Sequence, residues 1–256
     1  MVEIINFSSP KSSWNFAAKQ KKSLERSGCV GAVLQNQARI YGGYQKFQLE
    51  ENPVEITYDD GFIIGQPDTK VEKMVDQRKY AAGMILDTAL WISGGTSDKT
   101  EHSSTEFINH PLIKGFDLNT PKAFKPDPDV QNWFGPIINE QWVFGIEKHC
   151  MVQYDESSIY MIGGCEGGSE DGPTDATWIF NPLKNFTKKL TYNLKTHRSG
   201  HCCGKMYSRD KSKILLVVAG GEVMEFPQAQ RRILNSVEIL DPTSGKGWEA
   251  GMIFNI

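Results

Sequence analysis

Four times along the chain a short run of apolar residues ends on a pair of glycines. The runs are ARIYGG at Gly42 and Gly43, LWISGG at Gly94 and Gly95, IYMIGG at Gly163 and Gly164, and LLVVAGG at Gly220 and Gly221. A period near fifty, with room for variable loops, marks a repeat array in which each unit buries its apolar face against its neighbours. Upstream of each pair lies a second apolar stretch: CVGAVL from Cys29, YAAGMIL from Tyr80, HCMVQY from His149 and GHCCGKMY from Gly200. Polar turns at residues 35–37 and 155–158, and a longer one at 208–213, separate the two stretches and predict antiparallel hairpins. The step from Arg26 to Gly42 equals the step from Arg78 to Gly94, so register is held between repeats.

Downstream of the glycines comes a third element, clearest in SVEILDPTSGKGW, residues 236–248. A strand, an Asp-Pro turn with glycine and a return strand opening on Trp248 predict a second hairpin. The chain opens in the same way, since VEIINFSSPKSSW, residues 2–14, matches this segment with one residue inserted. Weaker versions are VEITY from Val54, STEFI from Ser104 and TWIFNPLKNF from Thr177. Each repeat is thus expected to hold four strands, giving an all-β chain of one domain over residues 1–256.

An apolar strand, Gly-Gly, a variable loop, then V-E-I-x-D-P and Trp resembles the kelch repeat. That resemblance implies four-stranded blades of a β-propeller. It is strongest from Arg198 to Trp248 and weakest in the first two repeats, where the second hairpin has drifted. Residues 109–147, which include TPKAFKPDPD, are expected to be a long insertion in the second blade. Four glycine pairs make four complete blades, and residues 2–14 make an orphan N-terminal half blade. The expectation is a fragment of a six-bladed propeller, with a strained five-bladed ring as the alternative. The second glycine of each pair is expected to take positive φ or to approach a neighbouring blade. Trp14, Trp248 and Trp142 are expected to pack between blades. Arg26, Arg78 and Arg198 precede the innermost strands, where Glu238 of the V-E-I strand offers a partner.

Composition narrows the function. With 28 Lys plus Arg against 31 Asp plus Glu, the net charge is -3, which offers no general attraction to nucleic acid or an anionic membrane. No apolar run long enough to span a bilayer and no leader pattern is visible, so the chain reads as soluble. The cytoplasm is slightly favoured, and secretion stays open. The five cysteines contain no C-x-x-C and suggest neither a disulfide framework nor a zinc finger, and Cys202 and Cys203 are expected to be small buried strand residues. The loop GCEGGSEDGPTDAT gathers Glu166, Glu170, Asp171 and Asp175 without EF-hand spacing, and Gly163-Gly164 lacks the Lys and following helix of a phosphate loop. His197 and His201 are the closest histidine pair and are expected to be a loop residue and a satisfied core residue. Asn6 and Asn185 begin glycosylation sequons, which matter only if the chain is secreted.

No metal, cofactor or small-molecule substrate is expected. The leading expectation is a non-enzymatic module that binds a protein or peptide partner, as a scaffold or substrate adaptor, through loops on one face of a propeller. A kelch-bearing enzyme, or an extracellular propeller that binds glycan or metal, is the alternative. Four charged loop residues, Glu170, Asp171, Arg231 and Arg232, are the expected partner contacts. Gly42, Gly43, Gly94, Gly95, Gly163, Gly164, Gly220, Gly221, Trp14 and Trp248 are the expected architectural residues.

Overall fold

The computed structural model describes residues 3–5, 14–16, 27–34, 37–45, 48–49, 54–59, 62–67, 74, 77–86, 89–97, 105–108, 123–124, 145–166, 172–181, 186–225 and 230–253. Every regular element among them is a β-strand. Strands β1 (Glu3–Ile5) and β2 (Trp14–Phe16) form an antiparallel hairpin, with Ile5 opposite Trp14. The first four-stranded sheet begins with β3 (Val30–Leu34) and β4 (Gln37–Tyr41). A short hairpin of β5 (Tyr44–Gln45) and β6 (Gln48–Leu49) follows, and β7 (Val54–Asp59) and β8 (Phe62–Pro67) then return to the sheet.

The second sheet holds β9 (Ala82–Leu86), β10 (Ala89–Ser93), β11 (Thr105–Ile108) and β12 (Ala123–Phe124). The third is preceded by β13 (Ile146–Glu147) and contains β14 (Cys150–Gln153) and β15 (Ile159–Ile162). After β16 (Cys165–Glu166), which pairs with β13, it is completed by β17 (Thr177–Asn181) and β18 (Phe186–Lys189). The fourth runs through β19 (Cys202–Tyr207) and β20 (Ile214–Ala219). It then makes the hairpin of β21 (Glu222–Glu225) and β22 (Gln230–Ile233) before β23 (Ser236–Leu240) and β24 (Trp248–Ile253) close it. All these pairings are antiparallel, so each repeat folds as two consecutive hairpins.

The region expected to be a pure insertion is therefore partly sheet. Ala123 and Phe124 supply the fourth strand of the second sheet, and Ile146 and Glu147 belong with the third. Two-residue strands leave too little alternation to be seen in a sequence.

Sheets stack through their first strands: β3 lies against β9, β9 against β14, and β14 against β19. The interior sheets are buried on both faces, so their strands are almost continuously apolar. In β15 the period-two alternation divides the side chains, with Ile159 and Met161 entering the cluster with Trp91 and Trp178. Tyr160 and Ile162 enter the cluster with Leu216, Val218 and Trp248. Trp248 is fully buried in that seam, and its indole N–H donates to Thr177 Oγ1 at 2.9 Å, as expected for a residue packed between sheets. Trp14 lies in β2, and its side chain falls outside the described residues, as do Trp142 and Arg26.

All eight paired glycines have positive φ, between 58° and 97°. The two members of a pair do different jobs. A Cβ on Gly163 would lie 2.6 Å from the carbonyl oxygen of Arg198 in the next repeat, so the first glycine permits the seam. A Cβ on Gly164 would meet Glu147 O and His149 Cβ of its own repeat, both at 2.7 Å, while its N–H crosses the seam to Arg198 O at 2.9 Å. The second glycine thus takes the positive φ expected for it, while the alternative expectation, close approach to the neighbouring repeat, falls to the first glycine.

Arg198 is completely buried and pairs with the buried Glu238 at 2.6 Å, the partner expected for it. Its guanidinium also donates to the carbonyl of Gly220, and Arg78 donates likewise to Gly94 O. The cysteine expectation fails in two ways. Cys202 is exposed, and Cys203 on β19 forms a disulfide with Cys150 on β14, with a Cα separation of 6.0 Å. The two are far apart in the chain, and stacking of consecutive sheets brings them together where no local spacing announces it.

Candidate functional site

The repeats converge on a line of backbone hydrogen bonds. Tyr80 N–H donates to Gly28 O at 2.7 Å, Lys148 N–H to Tyr80 O at 2.8 Å, and Gly200 N–H to Lys148 O at 2.8 Å. These four residues occupy the same place in each repeat, two positions after Arg26, Arg78, Ile146 and Arg198. All four have φ between 55° and 65°. Glycine suits that conformation, and the first and fourth repeats use it. Tyr80 and Lys148 hold the same left-handed backbone at a cost of about 1–2 kcal/mol each. What they add in return is a side chain.

Beside this line each repeat contributes one pair of facing residues. Ser27 pairs with Tyr44, Lys79 with Thr96, Glu147 with Cys165, and Ser199 with Glu222. The second member of each pair is the residue that follows the double glycine. The Tyr44 and Tyr80 rings meet edge to face at 6.2 Å between centroids. Lys79 Nζ lies 5.1 Å from the Tyr44 centroid, and Lys148 Nζ lies 5.3 Å from that of Tyr80. Lys148 also approaches Glu147 at 3.9 Å and Glu222 at 3.8 Å, and Arg231 approaches Glu222 at 3.5 Å. A continuous polar track thus runs from the first repeat to the fourth: Tyr44, Tyr80, Lys148, Glu222, Arg231.

Between the third and fourth repeats the track opens into a small pocket, lined by Lys148, Cys165, Ser199, Glu222 and Arg231 among others. The Ser199 hydroxyl is buried there without a hydrogen-bond acceptor of good geometry. Burial raises the Cys165 thiol above its ordinary range, with the Ser199 hydroxyl and the Lys148 ammonium acting in the opposite sense. In the first repeat, hydrogen bonds from Ser27 and Tyr80 lower the pKa of Tyr44. Burial and its hydrogen bond with Tyr44 raise Tyr80 to about 12, so the Tyr80 phenol is protonated at neutral pH.

His149 and His201 occupy equivalent positions, each packed on the first glycine of the preceding repeat, Gly94 and Gly163. Burial, reinforced by the neighbouring His201, lowers His149 to about 3. Burial and then the Arg198 charge lower His201 to about 4. His201 is buried in the core as expected, close to the backbone carbonyls of Ile162 and Arg198, although neither ring nitrogen makes a hydrogen bond of good geometry. His197 is exposed in a loop, as expected.

Of the four expected partner contacts, Glu170 and Asp171 lie outside the described residues. Arg231 and Arg232 are neighbours on β22 and are half-exposed. Arg231 reaches Glu222 on the track, while Arg232 pairs with Glu225 on the same hairpin. The structure adds Tyr44, Lys79, Tyr80, Glu147, Lys148, Ser199 and Glu222, which sequence reasoning did not single out. Alignment of the repeats on their first strands carries the signal, since it superposes a Gly in two repeats on Tyr80 and Lys148 in the others, a pattern that points to positive φ. Among the described residues no three His, Cys, Asp or Glu side chains are grouped to hold a metal ion, and no helix is long and apolar enough to cross a membrane.

No family model matches the chain, and no curated protein matches it. Among solved structures, that of YjhT superposes with a TM-score of 0.67 over 98% of this chain and 77% of that one, at 10% sequence identity. At that identity the likeness speaks for the fold alone: the chain is an all-β protein of antiparallel sheets, propeller-like in architecture as YjhT is.

Proposed function

We propose that the chain is a kelch-type propeller segment that binds a protein or peptide partner on the face carrying the polar track, as a scaffold or adaptor rather than an enzyme. In this reading the four described four-stranded sheets are four blades, and β1 with β2 is the outer hairpin of a further one, in a ring of six. Val33 on β3 and Met206 on β19, 60% and 49% exposed, lie in the first strands of the first and last of these sheets. Further blades would cover such apolar positions.

One observation carries the functional part: side chains from all four repeats meet in a single run from Tyr44 to Arg231. Two of them, Tyr80 and Lys148, stand where glycine would be less strained. Strain retained where a local rule favours another residue is most simply explained by use of the side chain. Aromatic rings, cations and carboxylates interleaved on a rigid base suit a peptide of mixed polarity.

The test starts with a pull-down to obtain a partner. Lys148→Gly, and separately Arg231→Glu with Arg232→Glu, should weaken binding about tenfold or more, with the salt dependence of a charged contact. Circular dichroism should remain that of the wild type. Unchanged affinity in both variants would move the site to another face.

A further inference from the structure

We propose that Cys150 and Cys203 form a redox clamp across the seam that carries the pocket, so that their oxidation state sets how firmly the two halves of the site are held together. The same two strand positions meet at each seam. A Cβ on Gly83 would strike Val30 at the first, Ala82 and Met151 share one apolar cluster at the second, and Cys150 and Cys203 meet at the third. Packing closes two seams and a covalent bond closes the third.

The third seam is also the one the pocket straddles. Of its lining residues, Lys148 comes from the turn before β14 and Cys165 from β16, while Ser199, Glu222 and Arg231 belong to the fourth repeat. Cys150 lies just beyond Lys148 in the chain, and Cys203 just beyond Ser199. The clamp is therefore joined to both walls by a short length of chain.

Two features make this a clamp rather than an inert staple. Both cysteines are only partly buried, so a small thiol can reach the bond. The seam also keeps other ties: Gly164 N–H to Arg198 O, Gly200 N–H to Lys148 O, and Trp248 to Thr177. Loss of the disulfide loosens the fourth sheet without releasing it. Chemically, the thiolate of a glutathione-type or dithiol reductant attacks one sulfur and forms a mixed disulfide, which a second reductant thiol resolves. Two electrons pass to the protein, the reductant leaves as its own disulfide, and Cys150 and Cys203 take up the two protons.

The bond can be tested without any partner, while its coupling to binding rests on the function proposed above. Full-length protein purified in air is labelled with N-ethylmaleimide under native conditions and mapped by mass spectrometry. Exposed Cys202 should label at once, with Cys150 and Cys203 labelling only after dithiothreitol. Reduction should lower the melting temperature by roughly 5–10 °C. It should also speed amide hydrogen exchange several-fold in residues 196–201 and 221–225. The Cys150→Ala, Cys203→Ala variant should exchange like the reduced protein and ignore dithiothreitol; the wild-type comparison stands alone if this variant does not fold. Immediate labelling of Cys150 and Cys203 without reductant overturns the disulfide. Unchanged exchange around Ser199 and Glu222 after full reduction overturns the clamp, whereas loss of the partner site alone touches neither result.

Discussion

Replacing Gly163 and Gly220 by alanine, one at a time, separates backbone strain from seam packing. The two glycines are equivalent, with φ of 58° and 68°, so a Cβ costs each about 1 kcal/mol of left-handed strain. Their surroundings differ. At Gly163 the new carbon would lie 2.6 Å from Arg198 O and 2.6 Å from His201 Cε1, whereas at Gly220 the nearest described atom is Leu234 O at 3.7 Å. A contact roughly 1 Å short of ordinary separation has to be relieved by moving backbone, because Arg198 O already accepts the Gly164 N–H at 2.9 Å. Overpacking of this kind costs about 1–3 kcal/mol. Gly163→Ala should therefore lose about 2–4 kcal/mol and Gly220→Ala about 1 kcal/mol. In urea titrations followed by tryptophan fluorescence, that gap should separate the midpoints by roughly 0.5–1 M at unchanged slope. Equal midpoints, or a lower one for Gly220→Ala, would refute the assignment of the first glycine to the seam.

Gly164→Val, which would press on Glu147 O and His149 Cβ, should cost more than about 1 kcal/mol by the same titration, and an unmoved midpoint would contradict it. Because folding depresses the pKa of His149 to about 3 and of His201 to about 4, the unfolded chain binds protons first as pH falls below 6.5. Stability should therefore drop by about 2 kcal/mol per histidine between pH 7 and 5, and His149→Gln should flatten the pH dependence of the urea midpoint in that window. Glu238→Ala should destabilise by about 3–5 kcal/mol, because it strands buried Arg198 and leaves the Lys195 and Thr196 N–H groups without their acceptor. A midpoint within experimental error of wild type would show that the pair is dispensable. Lys148→Gly should leave the midpoint unchanged or raise it slightly, since relief of φ strain offsets the lost ion pairs, and a drop of about 2 kcal/mol or more would count against the strain argument.

The sequence by itself determined the strand plan. IYMIGG is apolar throughout because a sheet buried on both faces needs no polar alternation, and the glycine pairs mark where positive φ is required. The partnership of Arg198 with Glu238 and the place of Trp248 in a seam were legible because each belongs to a motif repeated along the chain. Only the tertiary structure decided what lies across a seam. Cys150 meets Cys203, and Lys148 meets Glu222, because successive sheets stack first strand to first strand. That relation spans a whole repeat with its variable loops, and it leaves no local trace in the chain. The division of labour within a glycine pair is of the same kind. Both residues need positive φ, which a sequence can signal, but which of them faces the neighbouring carbonyl depends on the packing of one sheet against the next.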